Sequence, residues 1–418
     1  MITYFEALKI VLDSVKEVGE EKVFFVDALN RVLAEDIYAD EDNPPADNSG
    51  MDGYAVRFED IKDASEEKPV ALKVIGESKA GGDDIELKPG TAISIYTGAL
   101  IPKGADTVIQ KEFTKREGDT VYIYKALKIG ANIRPKGGDY KKGDLLLTKG
   151  KVLRPPEIGI LSSVNKATVY VKQKVKVGII TTGDEILDVG EPRTKDSQIR
   201  TSNTYTLYTQ ILESGAIPII IGFAKDNPED ITQKLNSAKN CDVLLTTGGV
   251  SVGEYDLVRD FVQKELNVDI LFWKVSQKPG KPVAFGVWGN DKEKLFFGIP
   301  GNPVACMVVF ETLVKPAIRK MMGYKNYFNP LIDAYLEEKF ERKSADRLEF
   351  VRVDIEYKDG KFLVKPFEKQ GSNILTSMVN SKGLMIVKEG VNLIEKGEVV
   401  NVILFDKEFL VGESENLK

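Results

Sequence analysis

The chain has 418 residues, of which 42% are hydrophobic and 29% charged, and its formal net charge is −6. This length exceeds what one hydrophobic core fills, so we expect about two to four domains. The composition excludes a disordered chain, and the acidic balance argues against a general nucleic-acid binder. The sequence contains neither a membrane-spanning run nor a signal peptide, so we predict a cytoplasmic protein without membrane contact.

Histidine is absent from the chain. Its absence excludes Ser-His-Asp and Cys-His catalysis and histidine-ligated zinc. Cys241 and Cys306 are too few for a disulfide framework, and both are predicted to be reduced core residues. Any catalysis must therefore rely on carboxylates, lysines, backbone amides and hard metal ions.

The first 175 residues predict a helix, then a mostly β region, then a second helix. Phe5, Leu8 and Val11 recur at helical spacing within residues 1–30. From residue 32 to 150, short β runs alternate with Gly and Pro turns. The Pro155-Pro156 pair predicts the start of a short helix within residues 151–175.

Residues 176–326 show a different pattern, in which apolar strand-like runs alternate with helical segments. Near-continuous apolar strands of this kind predict a parallel sheet covered by helices on both faces. From residue 329 onward, short alternating segments return and predict a small β domain.

Glycine-rich turns follow three of the predicted strands, at Thr182-Gly183-Asp184-Glu185, Gly248-Gly249-Val250-Ser251 and Pro300-Gly301-Asn302-Pro303. In open parallel sheets, ligands bind beyond the carboxyl ends of the strands, where backbone amides can approach an anion. Any one turn is equally well explained as a strand–helix connection. Three turns at one edge favour a phosphate or nucleotide site, although neither a Walker A motif nor Gly-x-Gly-x-x-Gly is present.

Four carboxylates stand in or after these strand-end turns: Asp184, Glu185, Asp226 and Asp256. Oxygen ligands without histidine fit Mg²⁺, although each carboxylate alone is as readily a helix cap or a surface charge.

The segment Lys278-Pro279-Gly280-Lys281 cannot be helical, so its two lysines are predicted to project from a fixed loop. Two ammonium groups held there would attract an oxyanion. The alternative for this segment is a solvated surface turn.

The β region contains two further dense motifs, in which turn formers surround Asp52 and Thr97. Loops this restricted are typical of segments that position a functional group, although turn chemistry alone explains either one.

Together, these segments resemble the MoeA family of molybdopterin molybdenumtransferases, which includes the gephyrin and plant E domains. The matching motifs follow the family order over residues 43–303. They are Ser49-x-Met51-Asp52-Gly53-Tyr54-Ala55, Thr97-Gly98-Ala99-x-x-Pro102-x-Gly104-Ala105-Asp106, Asn132-Ile133-Arg134 with Gly138-Asp139, Thr182-Gly183-Asp184-Glu185, Gly248-Gly249-Val250-Ser251-Val252-Gly253-Glu254, Lys278-Pro279-Gly280-Lys281-Pro282 and Pro300-Gly301-Asn302-Pro303.

The resemblance implies an α/β and β multidomain fold and an elongated homodimer. Residues 1–45 and 140–175 would form a helical dimerisation domain, and residues 46–139 an inserted β domain. Residues 176–326 would form the parallel-sheet α/β domain that binds molybdopterin, and residues 327–418 a C-terminal β barrel.

The resemblance also implies a reaction, in which molybdate (or tungstate) is inserted into adenylylated molybdopterin with Mg²⁺-dependent release of AMP. Molybdopterin adenylyltransferase, which would make that substrate, is a candidate protein partner. The catalytic residues carried over by motif are Asp52, Thr97, Glu185, Asp226, Asp256, Lys274 and Lys278. Glu185 and Asp226 would hold the metal, and Lys278 and Lys281 the molybdate. The substrate-binding residues would be Arg134, Asp139, Thr182, Gly183, Asp184, Gly248, Gly249, Ser251, Pro300, Gly301, Asn302 and Pro303.

One position departs from the family pattern. Many members have serine where this chain has Ala305, so a hydroxyl contact to the oxyanion is missing there. In the C-terminal region, Arg347, Arg352 and Ser372 have family-like surroundings.

Three alternative functions remain open at this stage. Molybdopterin adenylyltransferases share the α/β fold but are single small domains. A scaffold protein would not need the carboxylates and lysines, and a nicotinamide-nucleotide amidohydrolase would need an amidase domain.

Overall fold

The computed structural model describes residues 1–225, 227–248 and 255–406, and of residues 255–260 it gives only the helical backbone. Among the described residues, no helix is long and apolar enough to cross a membrane.

Residues 1–45 and 140–175 combine two helices with two small antiparallel ladders. The helices are Tyr4–Asp13 and Pro155–Ser163, and a 3₁₀ turn covers Phe25–Ala28. A capping box between Thr3 and Glu6 begins the first helix. The ladders pair Glu20–Phe24 with Thr168–Lys172, and Ile37–Tyr38 with Leu145–Leu147.

Residues 46–139 form a mostly β unit, as the sequence predicts. Its sheet contains, in spatial order, Thr107–Gln110, Gly53–Val56, Thr91–Ile95, Val70–Ser78, Thr120–Ile123 and Thr114–Glu117. A separate ladder pairs Asn48–Ser49 with Ile133–Arg134, and short helical turns cover Phe58–Ile61 and Lys111–Phe113. This small ladder brings the motif around Asp52 next to Arg134.

The α/β unit is built on a central sheet. Its strands, in spatial order, are Ile217–Ala224, Lys176–Thr182, Val243–Thr247, Lys294–Ile299, Ala284–Trp288 and Asp269–Trp273. The first four are parallel, as predicted. Ala284–Trp288 runs antiparallel to them, and Asp269–Trp273 pairs antiparallel with Ala284–Trp288 and therefore has the same direction as the first four. Only residues 289–293 connect Ala284–Trp288 to Lys294–Ile299. This connection is too short for the crossover that a parallel pair needs.

Helices cover the central sheet. They are Asn203–Glu213, Pro228–Ser237, Tyr255–Leu266 and a long helix over residues 303–321, which consists of Pro303–Val309, a π turn at Phe310–Val314, and Lys315–Met321. Buried strand residues such as Val243 and Leu245 pack against these helices.

The C-terminal unit is a closed five-stranded barrel, which confirms the predicted barrel. The ring runs Leu348–Lys358, Lys361–Pro366, Leu331–Leu336, Val399–Leu404 and Gly383–Val387. It closes because Gly383–Val387 pairs with both Val399–Leu404 and Leu348–Lys358. A small ladder of Phe340–Glu341 with Leu393–Ile394 and a helical turn at Thr376–Val379 flank the ring.

A short strand, Val275–Lys278, joins these parts, and we call it the lysine strand. On one side it pairs with Ile2–Thr3, and on the other with Leu348–Lys358 of the barrel. Tyr4 reinforces this junction because its hydroxyl donates to the Thr312 carbonyl at 3.0 Å and its ring packs edge-on against Phe350. The N-terminal helix, the central sheet and one end of the barrel therefore share one hydrophobic core.

Candidate functional site

A cavity of about 740 Å³ lies beyond the carboxyl ends of the parallel strands. Its volume falls within the range of small-molecule sites. The lining residues come from the strand ends, the following segment and the barrel: Thr181, Thr182, Glu185, Ile186, Ile199, Arg200, Thr201, Ser202, Asn203, Thr247, Gly248, Lys274, Lys281, Pro282, Pro300, Gly301, Asn302, Pro303 and Asn373. The three predicted glycine-rich turns thus meet at one cavity.

The glycines of these turns allow close approaches that a side chain would block. At Gly248, where φ is +86°, a Cβ atom would lie 2.5 Å from the Thr182 carbonyl oxygen. At Gly183, where φ is +133°, it would lie 2.7 Å from Glu185 Oε2. At Gly301, by contrast, a Cβ would make only ordinary van der Waals contact with Gly248 Cα, at 3.5 Å. Because glycine is the residue that tolerates such conformations, the sequence permits this convergence.

A hydrogen-bond network fixes the floor of the cavity. The Asn203 amide donates to Thr247 Oγ1 at 2.9 Å and to the Gly301 carbonyl at 2.7 Å. It therefore ties the helix Asn203–Glu213 to two of the strand-end turns. Thr181 and Thr204 add a hydroxyl–hydroxyl bond of 2.7 Å beneath it.

The charged side chains that line the cavity are Arg200, Lys274, Lys281 and Glu185. Backbone bonds hold the two lysines, because Val275 N donates to Lys281 O at 3.0 Å and Ile2 N donates to Lys274 O at 3.2 Å. Among these lining residues, cations outnumber carboxylates three to one. A cavity with this charge favours an anionic ligand.

The structure separates Lys278 from Lys281, which were predicted to hold one ligand. Lys278 is half-exposed, and its Nζ lies 2.7 Å from the buried Glu349 carboxylate. It lines a second cavity, of about 520 Å³, together with Arg342 and Arg347. Arg342 also pairs with Glu349, at 3.3 Å. Within one chain, the two ends of the Lys278–Lys281 loop therefore serve different cavities.

A barrel segment connects these two cavities. Ser372 accepts hydrogen bonds from Asn302 Nδ2 and, through its carbonyl, from Val304 N, at 3.1 and 3.0 Å. Arg352 is fully buried beneath this segment and donates to the Lys369 and Gly371 carbonyls. Burial lowers the pKa of its guanidinium. The barrel thus contributes to the wall of the first cavity.

In the β region, Asp52 and Thr97 contact each other directly. The Thr97 N–H and hydroxyl both donate to Asp52 Oδ1 at 2.8 Å, and these bonds hold the pKa of Asp52 below its ordinary value. Arg134 and Asp139 are exposed, and Asn43 Nδ2 donates to the Asp139 carboxylate at 3.0 Å. Within the described parts of one chain, none of the residues lining the first cavity comes from residues 46–139.

Three predicted site residues, Asp226, Gly249 and Ser251, lie outside the described residues, as does the side chain of Asp256. Asp184 is exposed beside the cavity and is not among its lining residues. Ala305 is buried in the helix that follows Pro303 and does not line the cavity. Over the described ranges, no cluster of three metal-ligating acidic or cysteine side chains occurs.

Comparison with known families covers nearly the whole chain. Residues 2–165 match the model of the MoeA N-terminal region (domain I and II), residues 178–320 a probable molybdopterin binding domain, and residues 334–405 the MoeA C-terminal region (domain IV). The chain belongs to the MoeA family. The resemblance inferred from the sequence motifs is therefore confirmed.

Individual MoeA relatives are similar over nearly their full length. A molybdopterin molybdenumtransferase of Bacillus subtilis is 37% identical over 96% of this chain and 94% of its own length. A putative molybdopterin biosynthesis protein of Methanocaldococcus jannaschii is 37% identical over 96% and 95%. The crystal structure of a molybdopterin biosynthesis MoeA protein from Pyrococcus horikoshii is 36% identical, with a TM-score of 0.80 over 97% of this chain and 100% of that one. These matches confirm the predicted multidomain fold class and a family of transferases.

Sequence reasoning missed several residues of this MoeA cavity, namely Arg200, Ser202, Asn203 and Asn373. A signal existed for two of them, because Ser202 is the N-cap residue of the helix Asn203–Glu213 and Asn203 begins it, and serine and asparagine are typical of a helix start. No local pattern marks Asn373, because it reaches the cavity only through the packing of the barrel.

Proposed function

We propose that this MoeA-family chain is a molybdopterin molybdenumtransferase in molybdenum cofactor biosynthesis. It inserts molybdate, or tungstate, into adenylylated molybdopterin and releases AMP in a Mg²⁺-dependent hydrolysis. The observation that carries the proposal is the cavity in which three cations and Glu185 surround glycine-rich strand ends. The names of the relatives support a molybdopterin molybdenumtransferase in molybdenum cofactor biosynthesis. The adenylylated substrate and the AMP product go beyond what those names state.

The cavity suits a ligand that joins a heterocycle to phosphate groups. Arg200, Lys274 and Lys281 supply positive charge, and the turn at Gly248 lets backbone approach the ligand. Ile186, Ile199 and the prolines Pro282, Pro300 and Pro303 give apolar surface for a flat ring. Such a combination of apolar walls and a few polar groups is typical of cofactor sites.

The described residues supply one of the two carboxylates of the proposed magnesium site. The Glu185 carboxylate lies against Gly183, in the space that any other side chain at position 183 would fill. Mg²⁺ is usually held by one or two carboxylates together with substrate phosphates. Glu185 and, outside the described residues, Asp226 would hold the ion. Mg²⁺ bound there would neutralise charge that develops on the phosphoryl oxygens.

We assign both lysines of the Lys278–Lys281 loop to the route by which molybdate would reach the first cavity from solvent. Lys281 projects into the first cavity, close to where the pterin dithiolene would lie. Lys278 faces the second cavity, whose lining residues include five cations, Arg342 and Arg347 among them, and five carboxylates. Glu349 pairs with both Lys278 and Arg342, so an oxyanion bound there would compete with that carboxylate for the two cations.

The proposal includes a cytoplasmic homodimer in which residues 1–45 and 140–175 mediate dimerisation. The β region of one subunit would then complete the cavity of its partner, because a two-fold interface joins different patches reciprocally. Asp52, Thr97, Arg134 and Asp139 would act from that region. An adenylyltransferase would supply the substrate. The predicted domain boundaries stay predictions.

The test is to supply adenylylated molybdopterin, Mg²⁺ and molybdate and to follow AMP. We expect AMP release that stops in excess chelator, and Glu185→Gln should require about tenfold more Mg²⁺ because one anionic ligand is lost. Full activity in chelator would contradict the metal assignment. Pyrophosphate release from ATP and molybdopterin, without AMP release from the adenylylated substrate, would instead favour an adenylyltransferase.

A further inference from the structure

Arg200 lies on the rim segment, residues 186–202, whose two ends line the first cavity. Its backbone is fixed, because Ile199–Arg200 pairs with Ile186–Leu187 in a two-stranded parallel ladder. Thr201 N donates to Leu187 O at 2.9 Å, and Ile199 N donates to Glu185 O at 2.8 Å. The rim residue therefore stands at a defined place beside Glu185.

The Arg200 guanidinium is also oriented. Its Nη1 donates to the Asp188 carbonyl at 2.9 Å. Asp188 is held in turn, because its carboxylate accepts the Tyr205 hydroxyl at 2.5 Å. This tether engages one end of the guanidinium, and the Nε–Nη2 edge stays compatible with a two-pronged contact to a ligand.

The charge of Arg200 is not neutralised by a neighbour. Within the described parts of the chain, carboxylates pair with Arg31, Arg154, Arg342 and Arg347, and none pairs with Arg200. Arg200 nevertheless lines a cavity that Lys274 and Lys281 already make positive. An oriented cation that adds to an existing positive charge destabilises the empty site, and an anionic ligand relieves that repulsion.

We propose that Arg200 determines specificity by forming a bidentate hydrogen bond to a phosphate of the ligand, and this inference rests on the proposed function. The planar fork of arginine matches two phosphate oxygens, whereas a lysine offers a point charge. Its position on the rim, next to the backbone of Glu185, assigns it to the phosphate that carries the nucleoside. Arg200 thus distinguishes a nucleotide from an uncharged nucleoside.

The test measures binding of AMP and of adenosine to the full-length protein by calorimetry. Arg200→Gln should weaken AMP binding by about tenfold or more, as loss of a charged hydrogen bond predicts, and leave adenosine binding unchanged. Arg200→Lys should give an intermediate loss for AMP because it keeps the charge and loses the fork. Arg193→Gln is the matched control: Arg193 is exposed on the same rim segment, does not line the cavity, and should bind AMP like wild type.

Wild-type AMP affinity in folded Arg200→Gln would overturn the inference. So would an equal loss for AMP and adenosine, which would indicate stacking on the base. If Arg200→Gln fails to fold, Arg200→Lys decides, and wild-type AMP affinity in that variant overturns the bidentate contact. A wild-type protein that binds neither probe also overturns the inference, and its AMP release from adenylylated molybdopterin then decides the proposed function separately.

Discussion

At the scale of single residues, the two lysines that bracket the Pro279-Gly280 turn differ in their contacts. Lys281 is exposed in the first cavity, whereas Lys278 is paired with the buried Glu349. Removing Lys278 leaves that carboxylate with Arg342, at 3.3 Å, as its remaining ion-pair partner among the described residues. Replacing the lysine with alanine should therefore change the free energy of unfolding by different amounts at the two positions.

We expect both Lys281→Ala and Lys278→Ala to raise the molybdate concentration needed for half-maximal AMP release, by about tenfold or more. Lys278→Ala should also lower the free energy of unfolding by about 1 kcal/mol, because a buried carboxylate loses a partner. Lys281→Ala should leave it unchanged. Molybdate titrations and urea denaturation of both variants measure this. An unchanged molybdate requirement in Lys281→Ala, or equal losses of stability, would contradict the assignment.

The sequence predicts some residues of the site and misses others for a physical reason. Gly248, Lys281 and the Pro300–Pro303 turn are recognisable because their own neighbours mark them as turns. Arg200 lies in a short ladder that no local sequence periodicity predicts, and Asn373 belongs to the barrel unit, which is distant in sequence. Lys278 was assigned together with Lys281 because they are neighbours in sequence, yet the lysine strand directs Lys278 to another cavity.

At the scale of elements, the strand-end glycines bring the turns of neighbouring strands into contact. Gly248 has φ of +86°, and a Cβ there would lie 2.5 Å from the Thr182 carbonyl oxygen. A backbone carbonyl inside a sheet cannot move aside easily. Gly360, in the hairpin between Leu348–Lys358 and Lys361–Pro366, has φ of +76° and no atom within 4 Å of its ideal Cβ.

We therefore expect Gly248→Ala to reduce AMP release by more than about tenfold and to destabilise the fold by roughly 2 kcal/mol or more. Gly360 also has a positive φ, but a Cβ there would collide with no other atom of the described residues. Gly360→Ala should therefore lower the free energy of unfolding by about 1 kcal/mol and leave AMP release normal. Denaturation and activity of the two variants give the comparison. If Gly248→Ala behaved like Gly360→Ala in both measurements, close contact between the turns would not matter for function.

The elements themselves were largely predictable. The helices at Asn203–Glu213 and Pro228–Ser237 and the parallel strands follow from clear apolar periods. The antiparallel pairing at one edge of the central sheet was not predicted, because an apolar run in the sequence does not indicate the direction in which its strand runs. The π turn at Phe310–Val314 was also missed. There, Glu311 is buried and accepts hydrogen bonds from Gln210 and Lys315, contacts that appear only once the helices pack.

At the scale of the whole molecule, the predicted site residues fall into separate groups. Asp52 and Thr97 lie in the β region, and Glu185 and Lys281 lie at the first cavity, which the described part of one chain builds without residues 46–139. The proposed dimer would unite them between subunits.

Mixed dimers test this arrangement. At a molybdate concentration well below half-saturation of the wild type, Asp52→Asn and Lys281→Ala homodimers should each release AMP at about a tenth of the wild-type rate or less. Heterodimers formed from both should recover about half of the wild-type AMP release, because one site then contains no lesion. In the control, Lys281→Ala is mixed with Glu185→Gln, two lesions in the same cavity of one chain, and every site stays damaged. No recovery in the first mixture, with heterodimers verified by mass spectrometry, would exclude a shared site.

The position of the lysine strand has a consequence for how the protein is made. Val275–Lys278 pairs with residues at the very start of the chain, Ile2–Thr3, and with a barrel strand that is synthesised later, Leu348–Lys358. While the ribosome is still translating the α/β region, one edge of this strand has no partner. The lysines of both cavities thus acquire their final setting only after the barrel has emerged, so a nascent or prematurely terminated chain carries an anion site that is not yet assembled.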